Sequence, residues 1–285
     1  MGSRRKLVAI LACGLLGTAC GATSTSTPQV TLADGTATTT SSAAPVAVET
    51  DSTTTAAPGF TELDVSLNPT GWEDVTITTE DDVELYGRFW SGGETAVLYA
   101  HDFDNPNPGS TGQRPPQSSE VVLPYAAAIA DQGVTLLAID FRGHGLSAGE
   151  YDVQASQEDL TAAYRWLADA GYETIVMVGW VGSGTAAVVL DAASDDVDFA
   201  GIAMLFSPPQ DTGLDADRVL AEIDAPLFFV GSDAGRSASW ARRMGAKAAN
   251  PYDIHVFGGV PSGVQFIDVY GGELAGRIYD FILNV

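Results

Sequence analysis

The first regular pattern along the chain is an alternation, in which Val75, Ile77, Val83 and Leu85 take turns with polar neighbours on either side of the turn-like Glu80-Asp81-Asp82. A period of two places alternate side chains on one face of a strand, so this stretch predicts a β-hairpin. Beyond it come short continuous apolar runs, Thr95–Ala100, Val134–Ile139, Thr174–Val178, Gly201–Phe206, Pro226–Val230 and Ile254–Phe257. Runs of that length without alternation suit strands buried on both faces. Helical spacings stand between them: Leu160, Ala163, Tyr164 and Leu167 share one face, with Ser156 and Asp159 placed as a capping box and Gly171 as a stop. A last helical face is Leu274, Ile278, Phe281 and Ile282. Strands alternating with helices after an opening hairpin predict an α/β domain: a mostly parallel eight-stranded sheet covered on both faces, with ligand sites at the strands' carboxyl ends.

The periodic part begins near Phe60, and what precedes it has a different texture. Arg4, Arg5 and Lys6 lead into the apolar run Leu7–Leu16 and the small residues Gly17, Thr18 and Ala19. That order reads as a secretory signal over residues 1–19, too short to span a hydrocarbon core of about 30 Å. Both cysteines of the chain, Cys13 and Cys20, fall in or just after it, so the domain holds no internal disulfide. Cys20 follows small residues and opens a polar tract. It resembles the acylated cysteine of bacterial lipoprotein signals, with Ile10-Leu11-Ala12-Cys13 as the competing position. Residues 20–59 are rich in Thr, Ser, Ala and Pro, contain no Lys or Arg, and show neither period, which predicts a flexible tether of roughly 35 Å root-mean-square span. The folded domain is then 60–285.

Charge narrows the partners. The chain carries a formal −24, and cleavage before Cys20 would leave ten basic against 37 acidic residues, a net −27. Nucleic acid is excluded as a partner for so acidic a protein, and an anionic bilayer would repel it, so a membrane location must come from a covalent lipid. No His/Cys cluster stands at metal-ligand spacing and no phosphate-cradling Gly-Lys loop follows a strand, so no cofactor is expected.

Three segments carry the candidate chemistry, each after a predicted strand. They are His101-Asp102-Phe103, Asp140-Phe141-Arg142-Gly143-His144-Gly145-Leu146-Ser147, and Gly179-Trp180-Val181-Gly182-Ser183-Gly184. In this order they resemble the α/β-hydrolases from about Val75 to the C-terminus, the D-x-R-G-H-G-x-S run being the most specific. Only 19 residues separate Phe206 from Pro226, which leaves no room for the lid that many members insert there.

The resemblance implies a nucleophile on a sharp strand-to-helix turn, written G-x-S-x-G, a histidine base after the last strand and an acid that orients it. Val181 stands at the nucleophile position and Ser183 at the turn's final glycine. Ser262 stands where the imidazole would be, within Gly258-Gly259-Val260-Pro261-Ser262-Gly263. The acid corresponds to Asp233, with Asp211 as the alternative. The triad is thus degenerate. A β-branched residue resists the strained backbone of such a turn at a cost of about 1–3 kcal/mol, so the turn is expected to relax or to shift into Gly182. His101, in the oxyanion loop, His144, in the Arg-Gly-His-Gly turn, and His255, in an apolar strand, are expected to be structural.

Two functions from different classes follow. One is a non-catalytic, lipid-tethered hydrolase-fold protein that binds a small molecule or a protein in a residual cleft around His101, Asp102, Phe103, Trp180 and Gly182. The other is an active ester or peptide hydrolase with Ser183 as an unusual nucleophile, which requires the Ser183 hydroxyl to face Asp233 rather than lie along its own helix. In a third possibility the domain is a scaffold whose cleft is packed shut by Trp180 and Phe103.

Overall fold

The structure is a computed structural model; it describes residues 61–66, 70–103, 119, 123–259 and 264–285. The signal with Cys13 and Cys20, the tether, and Ser262 lie outside the described residues.

The hairpin forms where the alternation placed it, β1 (Glu73–Thr78) pairing antiparallel with β2 (Glu84–Trp90). Its turn closes through Asp82 at φ 63°, a left-handed conformation that Asp tolerates because its short polar side chain can bond locally. The apolar runs become β3 (Thr95–Ala100), β4 (Thr135–Ile139), β5 (Thr174–Trp180) and β6 (Gly201–Leu205). A two-residue ribbon, β7 (Gln210–Asp211) with β8 (Leu214–Asp215), fills the space where a lid would begin. It is followed by β9 (Leu227–Ser232) and β10 (Pro251–Phe257). The main sheet has eight strands in the order β1-β2-β4-β3-β5-β6-β9-β10, parallel from β4 to β10.

Among the described residues five α-helices cover it: α1 (Leu123–Ala130), α2 (Ser156–Asp169), α3 (Gly182–Ala193), α4 (Ser237–Gly245) and α5 (Val264–Ile282). Alternate residues of the buried strands feed two cores. Leu98, Met177 and Met204 pack with α2, α3 and α4 on one face. Tyr99, Val178 and Leu205 pack with α1 and α5 on the other. The helical faces read from the sequence are the buried ones: Leu160, Ala163, Leu167, Leu274, Ile278 and Phe281 are all fully enclosed. Gly272 and Gly276 leave a notch on α5 that the backbone of Thr61 to Leu63 enters, with the Leu63 amide bonded to the Gly272 carbonyl at 3.1 Å.

Two expectations of detail are corrected. β10 is the sheet edge, and its residues Pro251 to Ile254 are exposed rather than buried on both faces. α2 has no capping box: its N-cap is Ala155 with no side-chain bond, Ser156 Oγ donates to the Val153 carbonyl, and Asp159 is taken by Arg142. A buried guanidinium outcompetes one backbone amide for a carboxylate, because a charge left unpaired in the interior is the costlier outcome. Gly171, at φ 99°, does stop the helix.

Candidate functional site

The carboxyl end of β5 turns into α3 at Val181, whose backbone sits at φ 54°, ψ −112°. This overturns the expected relaxation into Gly182: a β-branched residue holds the strained conformation. The surroundings explain why. Any side chain on Gly179 would collide with the backbone of Ser183 and Gly184, and one on Gly184 with Ser207 Oγ, so strand and helix approach at a distance that only glycines permit. The Val181 amide is also fixed, donating to the Leu205 carbonyl at 2.7 Å. Strain persists where the neighbours leave no alternative. The next strand end repeats the feature, since Phe206 has φ 57° and its amide donates to Val230 O at 2.8 Å.

Asp102 reaches this corner from the end of β3. It is 7% exposed, and its Oδ1 accepts the Gly182 N–H at 3.1 Å. α3 has no side-chain cap of its own at Val181, so a carboxylate from 80 residues away serves one of the open amides at its positive end. Phe103 covers the same place: a Cβ on Gly182 would lie 2.7 Å from its ring and 2.7 Å from Asp211 Oδ2. Beneath Val181, Trp180 is stacked on Tyr125 at 5.7 Å between centroids and tilted against Phe206 at 5.0 Å.

Solved structures with the same architecture exist. An esterase of Pyrococcus furiosus aligns with a TM-score of 0.57 at 20% identity, over 79% of this chain and 99% of that one. The fold is that of the α/β-hydrolases. Est1E from Butyrivibrio proteoclasticus, solved with ferulic acid bound, gives 0.58 at 12% identity, over 74% of this chain and 98% of that one. A predicted CIB-like hydrolase from Thermoplasma acidophilum gives 0.57 at 13%, over 75% and 99%. No protein-family model and no curated protein matches the sequence.

In an α/β-hydrolase the amide that follows the nucleophile is one of the two donors that bind the oxyanion. Here that amide is Gly182 N–H, already bonded to a carboxylate. Val181, which the resemblance placed at the nucleophile's position, is half-buried and carries no hydroxyl or thiol. Ser183 is fully buried, and its hydroxyl lies 2.9 Å from Ala100 O and 3.1 Å from Trp180 O. It is directed back into the strand ends rather than toward Asp233, so the geometry required of a rescuing nucleophile is absent. Asp233 is exposed at the end of β9, where its Oδ1 accepts the Gly259 N–H at 2.6 Å. It thereby fixes the Gly259 backbone just beyond β10. Asp211 lies beside the elbow instead, its Oδ1 accepting the Thr212 hydroxyl at 2.9 Å.

The histidines are engaged elsewhere. His101 accepts the Phe141 N–H at Nε2, 3.1 Å, which leaves Nδ1 to donate to the Asp102 carbonyl at 2.5 Å. Burial lowers its pKa to about 4, so the ring is neutral at pH 7. His144 Nδ1 is 2.9 Å from the Arg142 carbonyl. His255 is half-buried on β10 with Nε2 3.4 Å from Glu273 Oε1, and burial, with Arg277 nearby, lowers its pKa. Of the residues proposed for a cleft, Asp102, Phe103 and Gly182 meet at the elbow, whereas Trp180 packs into the core on the other face of the sheet and His101 turns away into the β4 corner. Sequence reasoning missed the engagement of Gly182 by Asp102. The signal available was an acidic residue where the family usually has glycine. Among the described residues no group of three or more His, Cys, Asp or Glu is placed to hold a metal, and no helix is long and apolar enough to cross a membrane.

Proposed function

We propose that this chain is an exported, lipid-anchored protein of the α/β-hydrolase fold that does not hydrolyse, and that it uses the residual cleft beside the elbow to bind a small molecule or a partner protein. One observation carries the reading: the corner from which acyl transfer is launched presents an isopropyl group, and the adjoining oxyanion amide is occupied by the chain's own carboxylate. Acyl transfer needs a nucleophile, a proton acceptor and donors free for the developing charge. The first is missing, a described donor is spent, and Ser262 at the base position does not titrate near neutral pH. The test is labelling of the full chain with a fluorophosphonate probe. No adduct is expected on any residue, and stoichiometric labelling that vanishes in Ser183→Ala would defeat the proposal.

Export and anchoring rest on the leader and on Cys20. Acylation there would be read by incorporation of an alkynyl fatty acid in a bacterial host, lost in Cys20→Ser and kept in Cys13→Ser; the reverse pattern moves the anchor. A second reading is favoured by the burial of Trp180 and Phe103, each 4% exposed. On it the domain is a surface scaffold whose elbow is packed shut. Trp180→Ala would then open space for a small apolar probe such as benzene without weakening any native binding.

A further inference from the structure

A groove of about 740 Å³, lined by none of the elbow residues, lies between the end of the edge strand β1 and the outer side of α2. Its volume is in the range of sites that enclose ligands of several hundred daltons. The floor is apolar, made by Ile77, Ala162 and the half-buried Trp166, whose ring is fixed edge-on against Phe89 at 5.2 Å. The rim is acidic. Glu80 and Glu158 reach it with side chains 87% and 58% exposed, and Asp169 closes the far end.

The cations at the groove are themselves paired, and only loosely with the rim carboxylates. Arg142 lies behind the wall, with bonds of 2.7–3.0 Å to Asp81 and 2.8 Å to Asp159 and a longer one of 3.4 Å to Glu158, and it holds the Asp81 carboxyl down at about 2. Arg165 is anchored on Asp196 at 2.9 Å and approaches Glu80 only at 3.6 Å. In the groove wall the Gln157 Nε2 is buried and meets no acceptor among the described residues. A buried amide donor without a partner is costly, and a small rotation of the part-buried Gln157 side chain would offer it to a ligand carbonyl.

We infer that this groove is a docking site for a basic peptide segment: an arginine or lysine side chain lies along Trp166 and reaches the Glu80, Glu158 and Asp169 carboxylates, while a peptide carbonyl accepts from Gln157. The alkyl stem and charged head of such a side chain match an apolar floor with an acidic rim, and a guanidinium also stacks on an indole face. The occupant is foreign. A second copy of a chain with net charge −24 is repelled, and residues 21–59 contain no Lys or Arg to offer. The inference does not depend on the reading of the elbow.

The test is isothermal titration of the full chain with the peptide acetyl-Ala-Arg-Ala-Arg-Ala-amide, beside the same peptide carrying citrulline for arginine. Binding of the arginine peptide alone is expected. The Glu80→Lys/Asp169→Lys double variant should weaken it by about tenfold or more, and Gln157→Leu by roughly threefold. Both of the reversed carboxylates are exposed, so the fold is not at stake, and Glu222→Lys, an exposed carboxylate outside the groove, should change little. Absence of binding at low salt, equal binding of the citrulline peptide, or an equal loss in Glu222→Lys would overturn the inference, the last by showing attraction to overall charge alone.

Discussion

The ends of β4 and β5 lie close together in the sheet and have fared differently. At the end of β4 nearly every polar side chain of the Asp140–Ser147 run is in use. Asp140 Oδ1 accepts both the amide and the hydroxyl of Ser119 at 2.6 Å, and Oδ2 accepts the Leu146 N–H at 3.0 Å. Ser147 ties the corner to β2, donating to the Asp140 carbonyl at 2.5 Å and accepting the Tyr86 N–H at 2.8 Å. Arg142 gathers Asp81 and Asp159. At the end of β5 the backbone is as well determined, but the side chain it presents is Val181. At one corner the polar side chains are bound into the fold. The other keeps only the shape, and glycine packing together with Asp102 is sufficient to hold it.

The largest effect that would break this contrast is expected at the β4 corner. Arg142→Ala leaves Asp159, 0% exposed, without its counter-ion and should cost about 3–5 kcal/mol in urea unfolding. A loss near 1 kcal/mol would mean that the network is incidental. At the β5 corner, Asp102→Ala removes a charge-assisted bond to a buried amide and should cost about 2 kcal/mol. Its melting temperature should then rise with added formate at about 100 mM while that of the native chain does not, because only the variant has a vacant anion site. Equal responses would show that Gly182 N–H is not the site.

Val181→Gly is a smaller and more pointed change. Release of about 1–3 kcal/mol of backbone strain offsets the packing lost with a half-buried valine, so net stability should move by less than about 1 kcal/mol. A loss above about 2 kcal/mol would show that the conformation is not strained. The smallest effect concerns pH. Asp81 titrates at about 2 in the fold because Arg142 bonds to it, below its ordinary 3.8. A depressed carboxylate stabilises above its unfolded value and loses that contribution as pH falls through the folded one. The stability difference between the native chain and Asp81→Asn should therefore shrink between about pH 4 and pH 2 and be constant from pH 5 to 7, as read by denaturant titration at each pH.

The sheet was legible because its strands are continuous apolar runs and its helices show clean faces, which are direct consequences of burial. β10 misled because Ile254, Val256 and Phe257 are apolar in sequence, whereas burial of an edge strand depends on a neighbour that only the topology supplies. The capping box misled because Asp159 has two possible partners and sequence spacing shows only the local one. At the elbow the sequence revealed which atoms were absent, Val181 having no nucleophile. It could not reveal that the turn would stay strained, since the glycine contacts of Gly179 and Gly184 and the bond from Asp102 are set by strands far apart in the chain.

Amide-resolved hydrogen exchange on the full chain reads the state of the Gly182 amide directly. Gly182 N–H should exchange as slowly as the bonded amides of β5, and exchange should accelerate in Asp102→Ala and slow again when formate is added. Rapid exchange in the native chain, or slowing there by added formate, would mean that this amide is open to an anion and that Asp102 does not occupy it.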